Sequence, residues 1–201
     1  MEEGLFPIRY CGIRRRKRVG MEFERLRIPD LIVFKPKVFH DNRGFFMETF
    51  IEQEFREICG DYSLVQTNVS ASKQGTLRGL HYQVVFPQGK LVSAVVGKVF
   101  DVAVDIRRDS PTFGQWCSAI LSDENKNTFW VPPGFAHGFY ALSEWSKIEY
   151  QCASYYSKIN ERGILWNDIT VGIEWPIAAN IPLLISEKDR NATTFLEAEY
   201  L

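Results

Sequence analysis

The sequence predicts an all-β domain, an antiparallel sandwich or barrel. Short strand-like segments recur along most of the chain, turn signals fall between them, and one segment alternates strictly between its two faces. In order, the expected strands are Leu31 to Phe39, Gly44 to Phe50, Ser63 to Ala71, Thr76 to Val84, Leu91 to Val96, Lys98 to Ile106, Gln115 to Leu121, Asn127 to Val131, His137 to Leu142 and Lys147 to Tyr156. Gly60-Asp61, Gln74-Gly75, Pro87-Gln88-Gly89, Gly97, Ser110-Pro111 through Gly114, and Pro132-Pro133-Gly134 punctuate them. Alternation is clearest from Lys98 to Ile106: Phe100, Val102, Val104 and Ile106 share a face that reads as core. Val99, Asp101, Ala103 and Asp105 share the other, which tolerates carboxylates. Only Glu52 to Ile58 reads as helix, with Ile51, Phe55 and Ile58 on one stripe. Beyond Arg162, breaks at Pro176 and Pro182 leave loops and short helices to wrap the barrel.

Composition is that of a globular chain: 201 residues, 45% hydrophobic, net charge -1. One compact domain is expected, and disorder is excluded as the main state. The longest apolar stretch, Leu91 to Val104, is interrupted by Lys98 and Asp101, short of the roughly 18 apolar residues a membrane helix needs. Cys11, Cys59, Cys117 and Cys152 are scattered, which reads as reduced thiols in a cytoplasmic protein and argues against a structural zinc site. Residues 1–20 hold Arg9, Arg14, Arg15, Arg16, Lys17 and Arg18 against Glu2 and Glu3, a net +4 that leaves -5 for residues 21–201. The expectation is a basic, mobile leader over 1–20, a functional chain beginning near Met21, one domain over 21–201, and neither nucleic acid nor membrane as partner.

The three histidines are His40, His81 and His137. Period two puts Leu77, Gly79, His81 and Gln83 on one face, and a glycine beside the imidazole leaves room for a ligand; a hydrogen-bonded structural histidine is the alternative. His137 follows the rigid turn Val131-Pro132-Pro133-Gly134-Phe135-Ala136, similar to the second half of the cupin metal signature. The first half needs a second histidine where Gln83 stands, so a first-row metal would be poorly held and no cofactor is expected. Arg43, Arg78 and Lys90 are each unremarkable surface charges alone, but together suggest an anionic substrate.

Several longer runs carry a resemblance: Asp41-Asn42-Arg43-Gly44-Phe45-Phe46-Met47-Glu48, Leu77-Arg78-Gly79-Leu80-His81-Tyr82-Gln83, Gln88-Gly89-Lys90-Leu91-Val92, Val99 to Asp105, Pro133-Gly134-Phe135-Ala136-His137-Gly138-Phe139, Gly163 to Asp168, and Leu184-Ile185-Ser186-Glu187-Lys188-Asp189. In order and spacing, from about Ile28 to Asp189, they closely resemble the dTDP-4-dehydrorhamnose 3,5-epimerase family. The resemblance implies a cupin-type double-stranded jelly-roll barrel with short peripheral helices, no metal, and a homodimer that exchanges N-terminal strands. It implies a thymidine-diphospho-4-keto-6-deoxyhexose substrate on the route to dTDP-L-rhamnose. His81 takes the position of the base, Asp189 that of its carboxylate partner, Tyr150 that of the acid on the opposite face, and Lys90 that of the cation near the keto oxygen. Arg43, Glu48, Gln66, Asn68, Arg78, His137, Glu161 and Lys188 fall on substrate-contact positions.

Without the resemblance, Asp189 reads as a surface aspartate and Tyr150 as a core tyrosine. The chain departs from the family at Thr67 and Gln151, both on the face opposite the expected contacts. Arg78 and His81, three apart, should face opposite sides of a regular strand; a bulge at Gly79, or a site fed from both sides by a dimer, would reconcile them. Alternatives are an epimerase inverting carbon 3 alone, a non-catalytic nucleotide-sugar-binding cupin, and a metal-dependent cupin.

Overall fold

The computed structural model describes residues 15–17 and 22–200. The strands are β1 (Arg15–Lys17), β2 (Glu22–Arg25), β3 (Ile32–Lys35), β4 (Val38–Asp41), β5 (Gly44–Met47), β6 (Gln66–Lys73), β7 (Thr76–Gln83), β8 (Lys90–Val96), β9 (Lys98–Asp105), β10 (Trp116–Ser122), β11 (Thr128–Val131), β12 (Phe135–Ala141), β13 (Trp145–Cys152), β14 (Glu161–Gly163) and β15 (Leu184–Ile185). Helices α1 (Glu52–Cys59) and α2 (Glu187–Arg190) complete the set, with two short 3-10 turns. One sheet runs β1-β2-β3-β11-β8-β13-β6 and the other β10-β9-β12-β7-β14, with β15 parallel to β7. The two face each other as the expected jelly roll, and the hairpin β4–β5 stands apart as its own small sheet.

The differences from expectation are local. Pro36, which has no N–H to give a ladder, splits Leu31 to Phe39 into β3 and β4. Strand β2 was not anticipated, because Glu22–Arg25 carries one apolar residue, Phe23, among charges. Residues 1–14 and 18–20 of the expected leader, and Met21, the expected start of the functional chain, lie outside the described residues; β1 pairs antiparallel with β2. Among the described residues Cys59, Cys117 and Cys152 are free thiols, and no helix is long and apolar enough to cross a membrane.

The alternation of β9 holds, but both of its faces are buried. Val99 and Ala103 join Val92, Phe129, Phe135, Phe139 and Ile148 in the core between the sheets. Phe100, Val102 and Val104 face outward, yet Ile164, Val171, Phe195 and Ala198 of the C-terminal segment cover them. On the far side α1 buries Phe55 against Phe34 and Trp130, edge-on to the indole with centroids 4.9 Å apart. That one side chain contributes about 1.5–3 kcal/mol. The barrel thus has a rigid wall on each side, and side chains that cross its interior are held in place by both.

Candidate functional site

A cavity of about 510 Å³ opens between the two sheets, and its walls bring together polar and charged side chains from six elements. β7 supplies Arg78 and His81, β12 His137, β8 Lys90, β13 Tyr150, β6 Ser70, and α2 Lys188 and Asp189.

The conflict between Arg78 and His81 is resolved by a bulge. β12 pairs His137 with His81 and Phe139 with Arg78, so three residues of β7 span two of β12. Leu77 and Leu80 accordingly both enter the outer core, while Arg78 and His81 both reach the cavity. Gly79 makes this possible. Its φ is +119°, and an added Cβ would lie 2.5 Å from the Cα of Gly138 and 2.8 Å from the His137 carbonyl oxygen. The expectation that Gly79 leaves ligand space beside His81 is therefore corrected: the space is filled by the backbone of β12.

His81 pairs through Nε2 with Asp189 Oδ1 at 2.6 Å. Asp189 is buried, at 4% exposure, so it is not the surface aspartate its charged neighbourhood suggested. Ser186 caps the short helix α2 by accepting from the Asp189 amide, and the Gly79 amide approaches Asp189 Oδ2 at 3.4 Å. Burial by itself would raise the pKa of this carboxyl. The His81 hydrogen bond and charge, with the Gly79 and Ser186 contacts, outweigh it and hold the group below the usual carboxylate range.

Lys90 and Tyr150 come from the sheet facing His81. Burial pushes the Lys90 ammonium down from its ordinary value, against the opposing pull of Cys152, Asp101 and Glu161. Burial pushes the Tyr150 phenol up, so it keeps its proton at neutral pH. Tyr150 also packs on the interior core, which makes its core reading and its cavity reading both true of the same ring.

Glu161, on β14, pairs with Lys188 at 2.5 Å and accepts from the Tyr156 hydroxyl at 2.9 Å. Burial would raise the Glu161 pKa, but these two bonds win and lower it. Gln66 and Asn68 lie on the inward face of β6 with Ser70, as alternation required, and Thr67 and Val69 point out. Gln66 donates to Asn68 Oδ1 at 2.9 Å and accepts from the Tyr156 amide. Of the expected contacts, Arg78, His137 and Lys188 line the cavity and five do not: Gln66, Asn68 and Glu161, and, farther off, Arg43 and Glu48. Arg43 sits on the exposed β4–β5 hairpin paired with Asp41, and Glu48 follows it, also exposed.

Gln83, at the place a cupin would use for a metal-binding histidine, is buried and committed. Its amide donates to the carbonyls of Phe86 and Tyr155, and its oxygen accepts from the Ser157 amide at 2.6 Å. Two residues escaped notice in the sequence. Asp101 meets His137 Nε2 at 2.7 Å, a second histidine–carboxylate pair beside the first, and Tyr156 reaches Glu161. Alternation puts Asp101 on the face of β9 that reads as tolerating carboxylates rather than as core; the structure turns that face, with Val99 and Ala103, into the barrel interior.

The arrangement suits abstraction of a carbon-bound proton next to a ketone. It offers an imidazole with a carboxylate behind it, a cation for the developing enolate, and a phenol on the facing wall. A family model described as dTDP-4-dehydrorhamnose 3,5-epimerase matches residues 25–197. The dTDP-4-dehydrorhamnose 3,5-epimerase of Shigella flexneri is 53% identical over 182 residues, spanning 90% of this chain and 99% of its own. That of Pseudomonas aeruginosa is 52% identical over 180 residues, 89% of this chain and 98% of its own. Among solved structures, a dTDP-6-deoxy-D-glucose-3,5-epimerase from Legionella pneumophila, in complex with dTDP-4-keto-L-rhamnose, superimposes with a TM-score of 0.86. It is 46% identical and covers 89% of this chain and 95% of that one.

Proposed function

This chain belongs to the dTDP-4-dehydrorhamnose 3,5-epimerase family, and from that premise we propose how its cavity performs the reaction. It is an isomerase that converts dTDP-4-dehydro-6-deoxy-D-glucose into dTDP-4-dehydro-L-rhamnose, in dTDP-L-rhamnose biosynthesis, by inverting carbons 3 and 5. The observation that carries the mechanism is the His81–Asp189 pair at 2.6 Å, opened to a cavity faced by Lys90 and Tyr150.

Each centre is next to the 4-keto group, so its proton becomes removable once the enolate oxygen meets a fixed positive charge. His81 takes the proton, and Asp189 stabilises the imidazolium that forms. Lys90 faces the oxygen. Tyr150, on the opposing sheet and holding its proton, returns one to the other face of the sugar. Arg78 and Lys188 at the rim supply charge for the diphosphate, with His137, Glu161, Gln66 and Asn68 as further contacts.

No metal enters this scheme. His81 and His137 each already give Nε2 to a carboxylate, and Gln83 is tied to three backbone groups, so the donor set does not fit an ion. Arg43 and Glu48 would serve a neighbouring copy's cavity in a homodimer that exchanges N-terminal strands. Support comes from their exposed hairpin, where Phe39, Phe45 and Phe46 are uncovered, and from exposed Val69 on the outer face of β6. The free thiols are in keeping with a cytoplasmic setting.

The test is incubation with the 4-keto sugar nucleotide in deuterated water, with label read at each carbon by NMR and mass. Label and inversion at both carbons are expected. Label at carbon 3 alone would make this a monoepimerase, and none would make it a binding protein.

A further inference from the structure

Gln83 stands where the cupin metal signature has its second histidine, and the epimerisation gives it no task. It is 2% exposed, and each of its side-chain hydrogen bonds goes to the backbone of a loop. Its Nε2 donates to the Tyr155 carbonyl at 3.3 Å and its Oε1 accepts from the Ser157 amide at 2.6 Å, so it grips the chain immediately before and after Tyr156. Nε2 also donates to the Phe86 carbonyl, at 2.9 Å. A side-chain amide carries the donor and acceptor of a peptide unit, and this one lies along the segment as a neighbouring strand would. From the facing sheet, Gln66 Oε1 accepts from the Tyr156 amide at 2.9 Å. Tyr156 is 50% exposed, yet its backbone is held on both edges.

The use of that rigidity lies at the tip of the ring. The Tyr156 hydroxyl donates to Glu161 Oε2 at 2.9 Å, and Lys188 Nζ meets the same oxygen at 2.5 Å. Lys188 lines the cavity, whereas Gln83, Tyr156 and Glu161 do not. A long lysine side chain left free on an exposed turn has to be ordered when an anion binds, at a cost in affinity. Here the ammonium is already held at the wall. We propose that Gln83 is a positioning residue for the nucleoside diphosphate: by pinning Tyr156 it fixes Glu161, and through that carboxylate it sets the Lys188 ammonium where the diphosphate oxygens dock.

Because the ligand's identity rests on the epimerase reading, one arm of the test needs no turnover. Thymidine diphosphate, the substrate without its sugar, is titrated into the full chain by calorimetry. Gln83→Met keeps the length and volume of the side chain and removes its hydrogen bonds. The Kd is expected to rise roughly three- to tenfold, the scale of one net hydrogen bond lost from the site. In turnover, KM should rise with it while kcat stays within about twofold, because His81, Asp189, Lys90 and Tyr150 keep their places. A merely structural role would lower the binding stoichiometry and kcat through loss of folded protein and leave Kd and KM where they were, and that result overturns the proposal.

Tyr156→Phe keeps the test decisive if Gln83→Met does not fold, since it removes one hydroxyl from a half-exposed ring and nothing from the interior. It should weaken thymidine diphosphate by a similar factor; an unchanged Kd there breaks the chain from Gln83 to Lys188 and overturns the proposal. The double variant should bind no worse than the weaker single one, since both changes cut the same chain, and losses that multiply overturn it as well. If wild-type protein takes up no deuterium into the 4-keto nucleotide while thymidine diphosphate binds and weakens in the variants, the epimerase reading fails and the positioning role stands. Full exchange with an unmoved Kd gives the reverse.

Discussion

Replacing Asp189 with asparagine isolates the carboxylate's charge from its shape. The amide can still accept from His81 Nε2–H, so the ring keeps its orientation; what disappears is the partner of the imidazolium that forms when the proton is taken. A hydrogen bond to a charged group is worth about 1.5–3 kcal/mol, and at about 1.4 kcal/mol per factor of ten that is a loss of roughly 10- to 150-fold. The His81 side chain is 28% exposed, so water screens part of the interaction and the lower half of that range is expected for the charge alone. A second cost adds to it. With its oxygen on His81, the asparagine turns an NH2 toward the Gly79 amide, which now donates to Oδ2 at 3.4 Å; two donors then face each other at the bulge. The assay is deuterium uptake at carbons 3 and 5 at neutral pH, alongside a melting curve that reports any structural cost. The variant should also lose an acid-side dependence of stability. Asp189 has its pKa held below the ordinary 3.8, so in the wild type it contributes stability that is present above that value and lost as pH falls through the folded one. Uptake within about twofold of wild type would refute the pairing as a catalytic device, since even the weakest charged hydrogen bond is worth more.

Tyr150→Phe keeps the base and nearly all of the ring's packing, so deuterium should still enter the substrate while inverted product forms far more slowly; a wild-type ratio of uptake to inversion would return Tyr150 to the core. Prolonged chelation should leave turnover unchanged, and activity lost to a chelator and restored by a divalent ion would bring back the metal-dependent reading. Gly79→Ala forces a φ of +119° on a side chain that meets Gly138 at 2.5 Å. A cost of about 2 kcal/mol or more is expected, a fall in Tm of about 4–8 °C, with turnover reduced; an unchanged Tm would mean that the bulge is not held as described.

The barrel was legible because its strands are written as alternation and its turns as glycine and proline. The limits of legibility are equally physical. The second face of β9 looked solvent-tolerant since Asp101 and Asp105 stand on it, and only the partners, His137 from β12 and Arg107 from the following loop, turn that face into interior. A partner that arrives by folding leaves no periodic trace. Asp189 shows the same thing more strongly, because 108 residues separate it from His81 and its own neighbours are charged. The resemblance supplied that pair, and the geometry now gives it a distance. Arg78 and His81 conflicted under period two until the register with β12 showed where the extra residue goes. The sequence named Gly79 as the place, for a reason that proved different from the one that matters. Arg43 and Glu48 remain away from the cavity of their own chain, so their reading depends on a second copy.

Asp189, the carboxylate proposed to stand behind the base, is delivered by a strap rather than by the barrel. β15 contributes two residues alongside β7, α2 is a single turn, and Ile164 bridges Thr193 just beyond it. Short pairings of this kind open more readily than the long ladders of β9, β12 and β13. Inactivation and unfolding therefore have separate thresholds. In rising denaturant the strap can lift, parting Asp189 from His81 while both sheets stay intact, and an enzyme that is silent in solution can still be almost entirely folded.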